Sequence, residues 1–332
     1  MKKLKFFLLF IIFIIIIVLV LFKIPKYHYD ADTIHEPVWG ITFSKKFAEE
    51  LEIPWKEAYL SMLDDLGVDN IRIPIYWDDI ASTSDAFIVD DYHFMVNEAE
   101  KRNHSTVLAV GARLPRWPEC HIPVWAEKLS EEEYRKAILK MIENIVKEFK
   151  DYESITAWQV ENEPLVSWFG ECKKANISLI KEEINLVRSL DGREIIITDS
   201  GEMGKWRKTY ALGGDILGIT TYRVTWNSFF KYFRYPFPPS YYRLRAKLAG
   251  VPWKNIKSME LQAEPWPPGK EITKISKKEL YKSFEHKQFK AHIEYAKAME
   301  VSHAYLWGAE WWYWLKIHGN DSMWEIASSL WQ

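Results

Sequence analysis

The sequence predicts an α/β fold: eight parallel strands closed into a (β/α)8 barrel, behind one apolar N-terminal segment. Three observations lead there. From Val38 onward, short runs rich in β-branched and aromatic residues alternate with amphipathic stretches, and such alternation builds parallel sheets. Eight strand-led units fit between residues 37 and 332, the number that closes a barrel. Two strand candidates, Ile155–Val160 and Ile256–Leu261, run directly into carboxylates. A doubly wound open sheet would also alternate strands and helices, but it gives no reason for paired acidic strand ends.

The N-terminus reads Met1-Lys2-Lys3-Leu4-Lys5, then an uninterrupted apolar run from Phe6 to Phe22, closed by Lys23. The run is at the short end of bilayer-spanning length. It is longer than a signal-peptide core, and no small-residue cleavage site follows it. Residues 1–23 are expected to form an uncleaved membrane anchor, with a cleaved signal as the alternative, and residues 24–36 a linker. Lys2, Lys3, Lys5 and the amino terminus, set against Lys23 and Lys26, bias the N-terminus toward the cytoplasm and place the body outside it.

Within the body, Trp39–Phe43 is the first strand. Pro54–Leu66 follows as a helix with Ala58, Met62, Leu63 and Leu66 on one stripe. Asn70–Pro74 and Thr106–Val110 are strands two and three, with a helix over Val89–Lys101 between them. A long loop covers Gly111 to Leu129. Ser130 then caps a helix whose first turn carries Glu131, Glu132 and Glu133, where carboxylates suit the helix dipole. Ile155–Val160 is strand four, ended by Glu161-Asn162-Glu163-Pro164. Helix 177–189 precedes strand five, Glu194–Thr198, and Asp215–Thr220 is strand six. An aromatic insertion spans Tyr222 to Tyr242. Ile256–Leu261 is strand seven, Ser276–Met299 its helix, and Ala304–Trp307 strand eight.

Composition narrows the partners. A net charge of −2 argues against a nucleic-acid partner, because phosphate backbones demand a basic patch. The chain has no Gly-rich phosphate loop and no zinc-type Cys/His spacing, so neither cofactor nor metal is expected. Seventeen Trp exceed what a core needs, and a minority are expected to line a cleft.

Two carboxylates on strand tips across a barrel mouth are what hydrolysis of a glycosidic bond requires: one protonates the leaving oxygen, the other attacks the anomeric carbon or activates water. Glu163 is the candidate acid/base and Glu260 the candidate nucleophile. Asn162 can hydrogen-bond a sugar hydroxyl. Ile256, Ser258 and Glu260 share one parity along strand seven, so Glu260 points with that set. Arg72 in strand two and Tyr222 after strand six can each donate to a carboxylate and keep it ionised. Glu161 is an alternative to Glu163, and Glu264 a rival to Glu260. Any one of these residues alone would be an ordinary solvated side chain; their joint placement at strand ends is what points to chemistry.

These residues carry a resemblance. Asn162-Glu163-Pro164 closing strand four resembles the Asn-Glu-Pro signature of clan A glycoside hydrolases, which include the cellulase-like family five. Ser258-Met259-Glu260 is similar to the clan's nucleophile strand, and Arg72 in Arg-Ile-Pro to its strand-two arginine. Tyr222 falls where the clan has a strand-six tyrosine, and Trp307 where it has a strand-eight tryptophan under the sugar. The resemblance implies a TIM barrel over residues 38–330, a carbohydrate substrate and retention of anomeric configuration, with the carboxyls about 5–5.5 Å apart. Strand seven departs from many cellulases in reading Met-Glu-Leu-Gln-Ala-Glu-Pro-Trp, and the histidine that several carry near strand six has no obvious match. The same residues also suit a transglycosylase, and a glycan-binding barrel without catalysis would keep the aromatic residues.

Trp77, Trp117, Trp125, Trp168, Trp266, Trp307 and Trp311 fall at strand ends or in the loops beyond. Trp266 and Trp307 are the expected sugar contacts, being nearest the acidic strands. Phe229 to Tyr242 is expected to pack, with a cleft lid or a membrane contact as alternatives. Cys120 and Cys172 lie in the loops after strands three and four, and a disulfide between them is expected in an oxidising compartment. Asn103, Asn176 and Asn320 begin glycosylation sequons. The sequence is silent on oligomeric state.

Overall fold

The computed structural model describes residues 36–269 and 271–332. The expected anchor, residues 1–23, and all of the linker but Glu36 lie outside them. Among the described residues no helix is long and apolar enough to cross a membrane.

Eight parallel strands form a closed barrel in chain order. They are β1 Val38–Thr42, β2 Asn70–Pro74, β3 Ser105–Val110, β4 Ile155–Val160, β5 Glu194–Asp199, β6 Ile216–Thr221, β7 Ile256–Gln262 and β8 His303–Trp307. Closure comes from β1 against β8, with Val38 opposite His303 and Thr42 opposite Trp307. The barrel closes on strands that all lie between residues 38 and 307. The strands are buried almost end to end because helices cover the outside. Val107, Ala157, Ile196, Ile216, Met259 and Tyr305 form an inner cluster, and the larger apolar core lies between strands and helices.

The helix Glu131–Phe149 starts as its sequence dictates. Ser130 Oγ accepts from Glu133 N, and the Glu133 carboxylate accepts from Ser130 N, a complete capping box. Its apolar stripe, Ile138, Met141, Ile142, Ile145, Val146 and Phe149, is buried.

Three expectations need correction. The helix expected over Ser276–Met299 is two, Lys277–Leu280 and His286–Met299. The break lets Ser283 Oγ accept from Trp266 N at 3.0 Å and buries Phe284. The aromatic insertion, to which the sequence reading assigned no strand or helix, contains both: Val224–Asn227 and Lys231–Arg234 pair as an antiparallel hairpin, followed by helix Ser240–Ala249. Finally, β7 does not alternate regularly. Its ladders to β6 and β8 both shift register around Met259, whose side chain joins the inner cluster and whose carbonyl accepts from Arg72. Glu260 therefore reaches the barrel interior through an irregularity in the strand, not through simple parity.

Candidate active site

The C-terminal ends of the strands gather a buried polar network around Arg72. Arg72 is fully buried in β2, and its donors fan out to separate acceptors. Nε donates to Gln159 Oε1 at 2.8 Å, Nη2 to Asn162 Oδ1 at 2.7 Å, and Nη1 to Glu260 Oε1 at 3.1 Å. A planar guanidinium can do this where a point charge cannot. Tyr222 Oη donates to the other Glu260 oxygen at 2.9 Å. Glu260 is thus a carboxylate held on both oxygens, one of them in an ion pair.

Glu163 is presented differently. The backbone turns sharply after β4, with Glu161 at φ 59° and Glu163 at φ 45°, a left-handed conformation that costs a side-chain-bearing residue roughly 1–2 kcal/mol. Three hydrogen bonds hold it: Glu161 N to Val110 O at 2.8 Å, Asn162 N to Arg113 O at 2.6 Å, and Glu163 N to Thr198 Oγ1 at 2.7 Å. Thr198 in turn donates to Asn162 Oδ1 at 3.0 Å. Burial, followed by the charges of Glu260, Glu119 and Asp199, holds the Glu163 carboxyl well above the usual carboxylate range, against the opposing pull of Arg113. The two carboxyls therefore occupy opposed environments: one paired with a cation, the other desolvated, which favours its protonated form.

Glu161 faces away from this pair. Its oxygens accept from Ala112 N at 2.8 Å and Arg113 N at 2.7 Å, and the buried Glu183 of helix Ile177–Leu190 interacts with it. Burial lifts Glu161 to about 7 and Glu183 well above its ordinary value. Gly111, at φ 135°, makes room: a Cβ there would lie 2.5 Å from Glu161 Oε1. Glu264 is likewise committed elsewhere. It pairs with Arg116, which also reaches Glu310 at 2.8 Å, and burial raises it to about 6.

The match that decides the family covers residues 41–262, which fit the model described as cellulase (glycosyl hydrolase family 5). The chain belongs to glycosyl hydrolase family 5. As a family 5 member it is a glycosidase, and the resemblance to clan A is borne out. No curated protein matches the chain significantly. Solved structures share its fold at low identity. One is a GH5_18 protein from Streptomyces cattleya in complex with GlcNAc, with 11% identity, 82% of this chain and 70% of that one covered, and a TM-score of 0.57. A GH5_18 variant from Bifidobacterium longum subsp. longum in complex with Manβ1-4GlcNAc has 13% identity, 82% and 69% coverage and a TM-score of 0.59. Xylanase 10B from Thermotoga petrophila in complex with xylobiose has 16% identity, 81% coverage of each chain and a TM-score of 0.54.

Around Glu163 and Glu260, the two expected aromatic contacts differ. Trp266 stands edge-on to Tyr222 at 4.8 Å and touches Phe169 at 5.3 Å, and Phe169 meets Trp117 at 5.8 Å, so these rings form a continuous wall beside Glu260. Trp307 is only 6% exposed. The Arg116 guanidinium lies 4.0 Å from its ring centre and 3.6 Å from that of Phe47, so a cation covers one face of the expected platform. Cys120 and Cys172 form a disulfide with Cα atoms 5.4 Å apart. Among the described residues no group of three His, Cys, Asp or Glu side chains is arranged to hold a metal ion.

Sequence reasoning missed Glu119, Arg113 and Arg116, all in the long loop after β3. Glu119 is buried, at φ 72°, and accepts from Asn162 Nδ2 at 3.4 Å. Burial, with Glu260 adding to it, pushes it up to about 8. Its sequence signal was its neighbour Cys120, whose disulfide pins this loop beside Glu163.

Proposed function

We propose that this chain is a retaining β-glycoside hydrolase that cleaves a β-linked oligo- or polysaccharide by double displacement. Glu260 attacks the anomeric carbon while Glu163 gives its proton to the departing oxygen, leaving a glycosyl ester on Glu260. Glu163, now a carboxylate, takes a proton from water as that water attacks the same carbon and releases Glu260. The observation that carries this reading is the contrast between the two carboxyls: Glu260 paired with Arg72 and Tyr222, Glu163 buried without a cation on its oxygens among the described residues and held above the usual carboxylate range. Arg72, Asn162, Tyr222, Trp266 and Trp307 are proposed to bind or position the sugar. The mannosyl-GlcNAc and xylobiose complexes of the structural neighbours make β-linked mannosides and xylosides the first substrates to try.

We also propose that residues 1–23 anchor the chain in a membrane with the catalytic body outside the cytoplasm. The Cys120–Cys172 bond supports this reading, since disulfides persist in oxidising compartments.

The test uses aryl β-glycosides and β-linked oligosaccharides with wild type, Glu163→Gln, Glu260→Gln and Glu264→Gln. Turnover that collapses in the first two and survives in the third, with the product released in the β configuration by NMR, is expected. Collapse in Glu264→Gln alone, or an inverted product, would overturn the assignment. Fractionation of the full chain should leave it with the membrane after a high-salt wash; release by salt refutes the anchor.

A further inference from the structure

The chain is nearly neutral overall, yet from Arg223 to Met259 it contains no Asp or Glu. Within that stretch stands the hairpin after β6. Its base is fixed at the catalytic end of the barrel: Gln262 Oε1 accepts from Arg223 N at 2.9 Å and Val224 N at 3.0 Å. Its tip is the opposite of a packed turn. Phe229 is 83% and Phe230 63% exposed, the two largest exposures of aromatic side chains among the described residues. The tip is also built. Asn227 Oδ1 accepts from both Phe229 N and Phe230 N at 3.1 and 2.7 Å, and the two rings meet edge to face at 4.7 Å. Two phenyl rings are therefore presented outward on a rigid turn, where water gains nothing from them.

Cations line the hairpin from its tip at Lys231 to its base at Arg234, opposite Val224. Lys231 and Arg234 are exposed on the hairpin itself. Tyr232 Oη donates to Glu279 Oε1 at 2.8 Å and Arg234 to the Lys282 carbonyl at 3.1 Å. These contacts bring up the short helix Lys277–Leu280, with Lys277, Lys278 and Lys282 all exposed. The one acid there, Glu279, is occupied by Lys282 at 2.6 Å and by Tyr232. Exposed aromatic rings flanked by Lys and Arg match the interface of an anionic bilayer, where rings sit at the headgroup level and bases pair with phosphates. A protein partner would have to be acidic and concave, and nothing else in the chain asks for one. The apolar run Phe6–Phe22, followed by only a short stretch before Glu36, supplies an independent reason for a bilayer to be near.

We propose that this face of the hairpin, Phe229, Phe230 and Lys231 at the tip with Arg234, Lys277 and Lys278 along the flank that leads to it, docks on an anionic lipid surface. The rings enter the headgroup region while the bases neutralise lipid phosphates. This inference goes beyond the hydrolase reading and does not depend on it.

The test is co-sedimentation of the body, residues 36–332, which holds all the strands of the closed barrel. The vesicles are phosphatidylcholine alone or with one third phosphatidylglycerol. Binding is expected to the anionic vesicles, at least tenfold weaker to the neutral ones, and weakened further by 0.5 M salt. Phe229→Ser with Phe230→Ser, and separately Lys231→Glu with Arg234→Glu, should each lower the partition coefficient at least tenfold. Circular dichroism and turnover of a soluble substrate should stay unchanged in both variants. Three results would overturn the proposal: wild-type binding that ignores lipid charge or is absent, binding unaltered in both variants, or a Phe229→Ser/Phe230→Ser variant that loses turnover of soluble substrate (a cleft lid) or loses self-association in the absence of lipid (a face covered by a second copy).

Discussion

Replacing Arg72 by Lys keeps the charge and removes the fork, which makes it the sharpest probe of the network. Three side-chain acceptors from two strands depend on the guanidinium: Gln159 in β4, Asn162 just after it, and Glu260 in β7. A lysine ammonium donates from a single point. If it stays with Glu260, the charge that matters most, Gln159 Oε1 loses the donor at 2.8 Å, and no other donor to that oxygen is present among the described residues. An orphaned buried acceptor costs about 1–3 kcal/mol. Asn162 Oδ1 fares better, because Thr198 at 3.0 Å and Gln159 at 3.3 Å still donate to it, so its loss is about 0.5–1.5 kcal/mol. The sum is about 2–4 kcal/mol of stability, read as a shift in the urea midpoint without a change in slope. In activity, Glu260 keeps a cation but loses its fixed orientation, and kcat/KM should fall about 10²–10³-fold. Stability within 1 kcal/mol of wild type together with kcat/KM within threefold would refute the claim that the fork geometry, not the charge, organises the site.

Further predictions concern the neighbours of this network. Cys120→Ser with Cys172→Ser opens a loop with a sequence separation of 52, for which chain entropy gives roughly 4 kcal/mol of lost stability; denaturation of wild type with and without reductant should show the same difference. Glu119→Gln removes a group whose charge, once it ionises near pH 8, opposes ionisation of Glu163, so Glu163 loses its proton more easily and the alkaline limb of kcat/KM should move toward acid. A limb that stays put or moves the other way counts against the coupling. Burial lifts Glu161 and Glu119 from 4.5 to about 7 and 8. Their folded values exceed their unfolded ones, so the stability they contribute is full below the unfolded value and is lost as pH rises through 7–8, by up to about 1.4 kcal/mol per pH unit for each proton of difference. Glu183→Gln, which removes one such proton, should flatten the pH dependence of the unfolding free energy; an unchanged slope would show that Glu161 and Glu183 do not interact.

The barrel was legible because most strands are compact runs of β-branched and aromatic residues and each major helix carries an apolar stripe, as the buried face of Glu131–Phe149 shows. The strand ends were legible for the same reason: Glu163 and Glu260 are fixed by the strands that precede them. What failed was everything set by tertiary contact. Period-two reasoning put Glu260 on the right side of β7 for the wrong reason, because the register shift at Met259 is chosen by packing inside the barrel. The break at Ser283 answers a backbone donor of Trp266 that lies distant in sequence. Arg116 reaches Trp307, Glu264 and Glu310 from a loop after a different strand, and no local pattern announces a cation that will slide between two rings.

Gly111 carries a consequence for how this sequence can vary. The residue touches no substrate and has no side chain, yet any Cβ would push Glu161 off Ala112 N and Arg113 N. Those two amides begin the loop that bears Glu119 and Cys120. In a saturation library, tolerance at position 111 should therefore be as narrow as at the carboxylates themselves, and the most restrictive letter in the loop would be the one with the least chemistry.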